Sequence, residues 1–173
     1  MEVIGDLMRD IIVLLLIILV VRYFWRKRKK RKEKVNMIED FVRNLPNFTA
    51  NEWLIAGDGS RAIAIDKNIR QLAIVWNGNQ YRIFKGNEIK SVKYIEDGHH
   101  RHTTEGFLSE TTTVSVKSIG FSISFFDLDF TSFSFLVGGG TNVGSELYNI
   151  YKNRSIHWCN LIDTLAIKYS SGN

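Results

Sequence analysis

Leu72-Ala73-Ile74-Val75-Trp76-Asn77-Gly78-Asn79-Gln80-Tyr81-Arg82-Ile83-Phe84 is the stretch on which the fold turns. Asn77-Gly78 stands between two apolar, β-rich runs, and these are residue types that enter positive φ at low cost, as a tight hairpin turn demands. The reading predicts an antiparallel hairpin here. Working outward, similar runs recur on both sides: Trp53-Leu-Ile-Ala56 and Ala62-Ile-Ala-Ile65 before it, Ile89-Lys-Ser-Val-Lys-Tyr-Ile95 after it. Asp58-Gly59, Asp66-Lys-Asn68, Lys85-Gly86-Asn87 and Asp97-Gly98 separate the runs as turns. One strand in roughly every ten residues is the spacing of antiparallel sandwiches and small barrels.

From Ile119 to Val137 the chain is apolar enough to be mistaken for a membrane span, yet Asp127 and Asp129 sit at its centre and its apolar residues alternate. Phe121, Ile123 and Phe125 share one phase, Phe126, Leu128 and Phe130 the other, and Phe133, Phe135 and Val137 return to the first. A one-residue slip inverts the faces of a strand, so two strands are expected to meet around Asp127 to Thr131. Gly138-Gly-Gly140 then breaks the sheet, and Val143, Leu147, Ile150, Trp158, Leu161, Ile162 and Leu165 recur at helical spacing. This predicts a C-terminal amphipathic helix of about six turns, with an interruption allowed near Asn153. Asn142 or Ser145 caps it, Ser170-Ser-Gly172 ends it, and Trp158 and Leu161 pack on an open end of the sheet.

Net charge is +5 over 173 residues, with 45% hydrophobic and 24% charged, a balance that furnishes one core and excludes wholesale disorder. The single cysteine, Cys159, excludes an intrachain disulfide and a cysteine-based zinc site within one chain. Residues 1–34 hold ten Lys/Arg against four acids, while the remainder holds thirteen against fourteen, so the charge belongs to the N-terminal segment. There, Ile11 to Val21 is an unbroken aliphatic run followed by Arg22 and by Tyr23, Phe24 and Trp25. A helix from Val3 to Trp25 would be about 34 Å long, enough to cross a hydrocarbon core of roughly 30 Å. The leading segment is net acidic and no small-residue cleavage site follows, which argues for a retained anchor over a signal peptide.

The expectation is a single transmembrane helix over residues 1–25, with Arg22 snorkelling and Tyr23, Phe24 and Trp25 as an aromatic belt. The basic block Arg26, Lys27, Arg28, Lys29, Lys30, Arg31, Lys32 and Lys34 then lies in the cytoplasm and the N-terminus outside, placing the protein in a cell's inner membrane. That block either fixes topology alone or also attracts anionic lipids or another polyanion; nucleic acid is disfavoured by the adjoining anchor. Residues 26–47 continue as the basic juxtamembrane segment and an amphipathic helix, with Ile38, Phe41, Val42 and Leu45 on one face and Pro46 ending it. No Gly or Pro lies between Leu7 and Leu45, so anchor and helix can run together. Residues 48–173 form the domain: an α+β fold of about seven antiparallel strands closed by the C-terminal helix.

The run Ala62-Ile-Ala-Ile-Asp66, the segment Ile89-Lys-Ser-Val-Lys-Tyr-Ile-Glu-Asp-Gly98, the stretch Asp127 to Phe135 and the helix carrying Trp158 carry a resemblance. Over roughly residues 48–168 the chain resembles bacterial membrane-anchored domains of uncharacterised function with a pleckstrin-homology-like fold. The resemblance implies a sandwich or split barrel that binds or scaffolds, without chemistry and without catalytic residues.

Candidate sites are few. His99, His100 and His102, with Asp97 and Glu105 beside them, are the densest set of possible metal ligands, set against a solvated hairpin loop that carries Arg101 among them. There is no Gly-x-Ser-x-Gly elbow, His157 falls on the C-terminal helix, and Cys159 has no activating neighbours in sequence. Gly138-Gly-Gly140 lacks the Lys-Ser/Thr of a phosphate loop, and Asp127 and Asp129 read as turn formers before cation ligands. A headgroup site on the sheet finds only Arg61 in the first strand-to-strand loop, with Lys67, Arg70, Arg82 and Lys85 scattered among acids. No cofactor is expected. The functional expectation is a membrane-anchored, non-catalytic binding or scaffolding module for a protein partner, homo-oligomerisation being compatible. The alternatives are an anionic-lipid or nucleic-acid binder working through residues 26–34, and an accessory or mobile-element envelope protein that blocks a membrane process.

Overall fold

Two helices and eight strands make up the described residues. The computed structural model describes the backbone of residues 2–105 and 110–170 and the side chains of residues 13–101 and 112–166. In chain order these are α1 (Glu2–Arg43), β1 (Glu52–Ile55), β2 (Arg61–Asp66), β3 (Gln71–Trp76), β4 (Gln80–Lys85), β5 (Ile89–Glu105), β6 (Glu110–Phe125), β7 (Ser132–Gly138), β8 (Thr141–Asn142) and α2 (Glu146–Ser170). A single 3-10 turn, Gly86–Glu88, joins β4 to β5.

Local chemistry explains the first sheet, an antiparallel meander in the order β1-β2-β3-β4. Asn77 and Gly78 adopt φ of 52° and 84°, as the hairpin reading requires, and Trp76 pairs with Gln80 across the turn. Along β2 and β3 the alternation separates two kinds of apolar residue. Ile63, Ile65, Leu72 and Ile74 join the main core with Phe84, Phe121, Phe135, Trp158 and Ile162. Ala62, Ala64, Ala73 and Val75 face the other way and are buried with Ile38, Val42, Leu45 and Phe48. With Ala64 paired to Ala73, the small side chains let the end of α1 lie close on the sheet, which is covered on both faces.

The second sheet runs β5-β6-β7, with β8 pairing the middle of β6. β5 and β6 form a hairpin much longer than expected. Asp97 and Gly98 do not turn; they lie within β5, where Asp97 pairs with Ser118 and His99 with Val116. The ladder continues to the pair Glu105 and Glu110, the last described residue of β5 and the first of β6. Two strands do meet around Asp127 to Thr131, with Phe125 and Phe135 buried, but Phe126 and Leu128 are exposed rather than in the core. The glycine run ends β7, and the chain returns at once as β8, one strand more than expected.

α2 begins at a Ser145 cap, whose Oγ accepts the Tyr148 N–H at 3.2 Å, and runs 25 residues unbroken past Asn153. Trp158, Ile162 and Leu165 are its buried face, with Leu161 half-buried beside them.

The N-terminal expectation is corrected. Among the described residues no helix is long and apolar enough to cross a membrane. The aliphatic run of α1 ends at Val21. Arg22 follows, and the same helix continues through the eight bases from Arg26 to Lys34. The single-pass anchor, the orientation read from it and the inner-membrane location fall together. Val13 to Val21 and Tyr23 to Trp25 are exposed on the helix, as are the basic residues through Lys34.

Candidate binding groove

The side chains that sequence singled out are dispersed. His99 and His100 are consecutive on β5 and so point to opposite faces of the hairpin. His99 Nε2 lies 3.4 Å from Glu96 Oε1, and the His102 side chain falls outside those described. No group of three potential metal ligands occurs among the described residues. Glu96 itself is taken up by the fold: Tyr94 donates to it at 2.6 Å and Tyr148 at 3.2 Å, tying α2 to β5. Partial burial, with this bond to Glu96, pushes the Tyr94 phenol well above its ordinary value.

The conspicuous aspartates are turn formers. Asp66 is buried and accepts N–H bonds from Thr49 (2.7 Å), Asn68 (2.9 Å) and Ile69 (3.3 Å). Asp127 accepts from Asp129 (2.8 Å) and Phe130 (3.1 Å) and pairs with Arg82. His157 reaches Glu52 at 3.2 Å, where Lys67 also pairs. The Lys67 ammonium holds the Glu52 carboxyl below its usual range, and His157 adds to this against partial burial.

Cys159 is half-buried on α2 and its thiol is pushed up to about 11, by burial first and then by Asp163. Because only the thiolate is nucleophilic, alkylation of the native protein by iodoacetamide is expected to be slow at pH 7–8 and to rise about tenfold per pH unit up to the thiol's pKa. A rate at pH 7.5 equal to that of the urea-unfolded chain would show the thiol to be unshifted.

What the structure brings together was not grouped by the sequence reading. Arg31 of α1, Arg61 of β2, Lys117 of β6 and Arg154 of α2 converge on one cavity of about 690 Å³, with Asp58 the one acid lining it among the described residues. Its wall is the meeting of two sheet edges, Leu54 and Ile55 of β1 and Leu136 to Gly138 of β7. α1 passes directly over the loop after β1: the Arg31 Nε donates to the Gly57 carbonyl, and Arg28 and Lys32 line the adjoining surface beside Ile55 and Ala56. Arg61 Nη1 donates to the Ser134 carbonyl at 3.0 Å and its guanidinium lies 5.7 Å from the Phe133 ring centroid, so it is held between the sheets.

Burial alone would raise the Asp58 carboxyl. The Ser60 N–H and hydroxyl, with Arg61 nearby, hold it below its usual value instead, so the acid stays ionised but is bonded within its own turn, and the four cations outnumber it. The glycine run has a structural use here. A side chain at Gly138 would enter the Tyr151 ring, and one at Gly139 would meet the Lys117 carbonyl. Only backbone therefore fits that wall. No single spacing in the sequence announces this groove, because its cations come from four elements far apart in the chain.

No protein-family model, curated protein or solved structure matches this chain.

Proposed function

We propose that the protein is a binding module, without chemistry of its own, that engages an anionic partner through the groove beside α1. The observation that carries this is the convergence of Arg31, Arg61, Lys117 and Arg154 on one cavity against Asp58, the one acid among its described lining residues and already bonded to Ser60. Cationic lining in a partly enclosed site concentrates field lines and draws anions to it. Mixed polar and apolar lining at this volume is also typical of ligand-sized clefts.

The test is anisotropy with fluorescein-labelled polyglutamate and a labelled 12-nucleotide single strand, in a salt series. At least one is expected to bind with an affinity that falls steeply as salt rises. Replacing Lys117 and Arg154 together by alanine is expected to weaken binding about tenfold, as loss of two charge contacts at a cleft does. Binding that ignores that double variant would sink the groove reading.

A second reading rests on a different observation. Arg26, Lys29 and Lys30 lie at i, i+3 and i+4 on one face of α1, all exposed, with Glu33 beside them. That face suits phosphate-bearing partners, nucleic acid or anionic headgroups. It is favoured if neutralising these three bases abolishes binding while the Lys117/Arg154 variant leaves it intact.

A further inference from the structure

Both strands that meet at the groove are sheet edges: among the described residues β1 pairs only with β2, and β7 only with β6. Antiparallel pairing alternates the direction of backbone groups, so hydrogen bonds already made reveal which residues point outward. On β1, the Ala56 N–H bonds to Arg61 of β2, which turns Ile55 outward; the next outward carbonyl, Gly57, is the one Arg31 takes. On β7, the Phe125 N–H bonds to Thr131, which fixes the bonded phase, and the outward carbonyl of Ser134 is the one Arg61 takes. Two residues further along, Leu136 presents its N–H and C=O to the groove, immediately before the irregularity where Ile119 pairs with Gly138 and Gly120 with Leu136. Ile55 and Leu136 thus offer backbone groups on facing edges of one cavity, and both line it.

We propose that the occupant of the groove is an extended acidic polypeptide segment, which adds as a strand between β1 and β7. This deepens the anionic-partner reading and rests on it. Main-chain pairing with Leu136 and Ile55 supplies geometry, as in other strand additions to an open edge, and the surrounding cations select the side chains. Carboxylates on the added strand meet Arg31, Arg61, Lys117 and Arg154, while Arg28 and Lys32 extend the same sign along α1. An unpaired edge beside an apolar floor is an aggregation risk that proteins block or use. Here the two arginines occupy one outward carbonyl on each strand, and among the described residues no side chain bonds the backbone of Ile55 or Leu136. Leu136, half-exposed at the groove, is covered when a strand lies there.

The probe is a labelled decapeptide of alternating glutamate and threonine, tested on the full chain beside two analogues. One analogue carries N-methyl groups on alternate residues, keeping every charge while removing pairing N–H groups; the other replaces each glutamate by glutamine. Binding of the parent peptide is expected. Loss of about tenfold is expected on N-methylation, from removal of two or more backbone hydrogen bonds. A loss of similar size is expected with glutamine, and with the Lys117→Ala/Arg154→Ala protein. Leu136→Pro deletes the outward N–H along with the leucine side chain, so it is compared with Leu136→Ala, which keeps the N–H: a loss of binding in the proline variant well beyond that in the alanine variant is expected, and equal binding by the two would overturn strand addition at β7. Equal binding of the parent and N-methylated peptides would overturn strand addition while leaving an anionic groove. Binding of the oligonucleotide alone, sensitive to Lys117 and Arg154, would overturn the polypeptide as occupant. Failure of every anion to bind would overturn the groove reading itself.

Discussion

Truncating Phe121 to alanine is expected to remove about 3–5 kcal/mol of stability, which in a chain of this size lowers Tm by about 6–20 °C. Phe121 is fully buried on β6 at the point where three packed elements meet. Its ring stacks on Phe135 of β7 with centroids 5.5 Å apart, and lies parallel to Trp158 of α2 at 6.5 Å. Across the core sit Ile63, Ile65, Leu72 and Ile74 of the other sheet. Removing the ring leaves a cavity that neither sheet can close, since each is held in register by its own hydrogen bonds, and the surrounding side chains lose their dispersion contacts. Total stability of ordinary domains is only about 5–15 kcal/mol, so the variant should unfold at markedly lower urea. Urea denaturation with unchanged m-value is the check, and a loss below about 1 kcal/mol would mean that Phe121 does not sit at the centre of the core.

Its neighbour gives the second large effect, with a sign that opposes the usual one. Alanine ordinarily improves on glycine within a strand by about 0.5–1 kcal/mol, because it restricts the unfolded chain. At Gly120 the expectation reverses. A Cβ built there would stand 2.0 Å from the Phe135 carbonyl oxygen and 3.0 Å from the Leu136 Cα, both backbone atoms of β7. Neither can swing aside as a side chain would, so β7 must separate from β6 at the irregularity beside Leu136. A loss of about 3 kcal/mol or more is expected, at or above the usual range for overpacking. Amide exchange should show which bonds fail: faster exchange confined to β6 and β7 matches the cause, and a variant as stable as the parent would show that the two backbones are not in close approach. As the two positions are adjacent, the effects of Phe121→Ala and Gly120→Ala should not add.

The sequence was informative wherever one residue type answers one local demand. Asn77-Gly78 gives the hairpin because both enter positive φ, Ser145 caps α2 through its hydroxyl, and Asp127 organises the bend between β6 and β7. It misled at Asp97-Gly98, where turn-prone residues sit inside β5: the pairs on either side, Asp97 with Ser118 and His99 with Val116, extend the ladder past them. The histidines expected on a loop therefore sit on a strand, where alternation sets His99 and His100 apart. Ala62, Ala64 and Ala73 were readable as strand residues, but alanine is too small to reveal that a helix covers it. In α1 the aliphatic run suggested a span, yet among the described residues no helix is long and apolar enough to be one. The groove was invisible for a simpler reason: its four cations share no element, and only the meeting of β1 with β7 brings them together.

The meander order of the sheets also bears on how this chain assembles. Each strand from β1 to β4, and from β5 to β7, pairs with its neighbour in sequence, so each hairpin closes a short loop at small entropic cost. Local pairings of this kind can zip early and without search. The covering of the first sheet is different in kind. α1 arrives from the start of the chain and α2 from its end, and they close the alanine-lined cluster and the main core, one helix to each. During synthesis α1 can dock as soon as β2 and β3 exist, whereas the main core waits for β6, β7 and α2. Until α2 is made, Ile63, Ile65, Leu72 and Ile74 lack their final partners. The nascent chain passes through an interval in which one side of its first sheet is finished and the other is open.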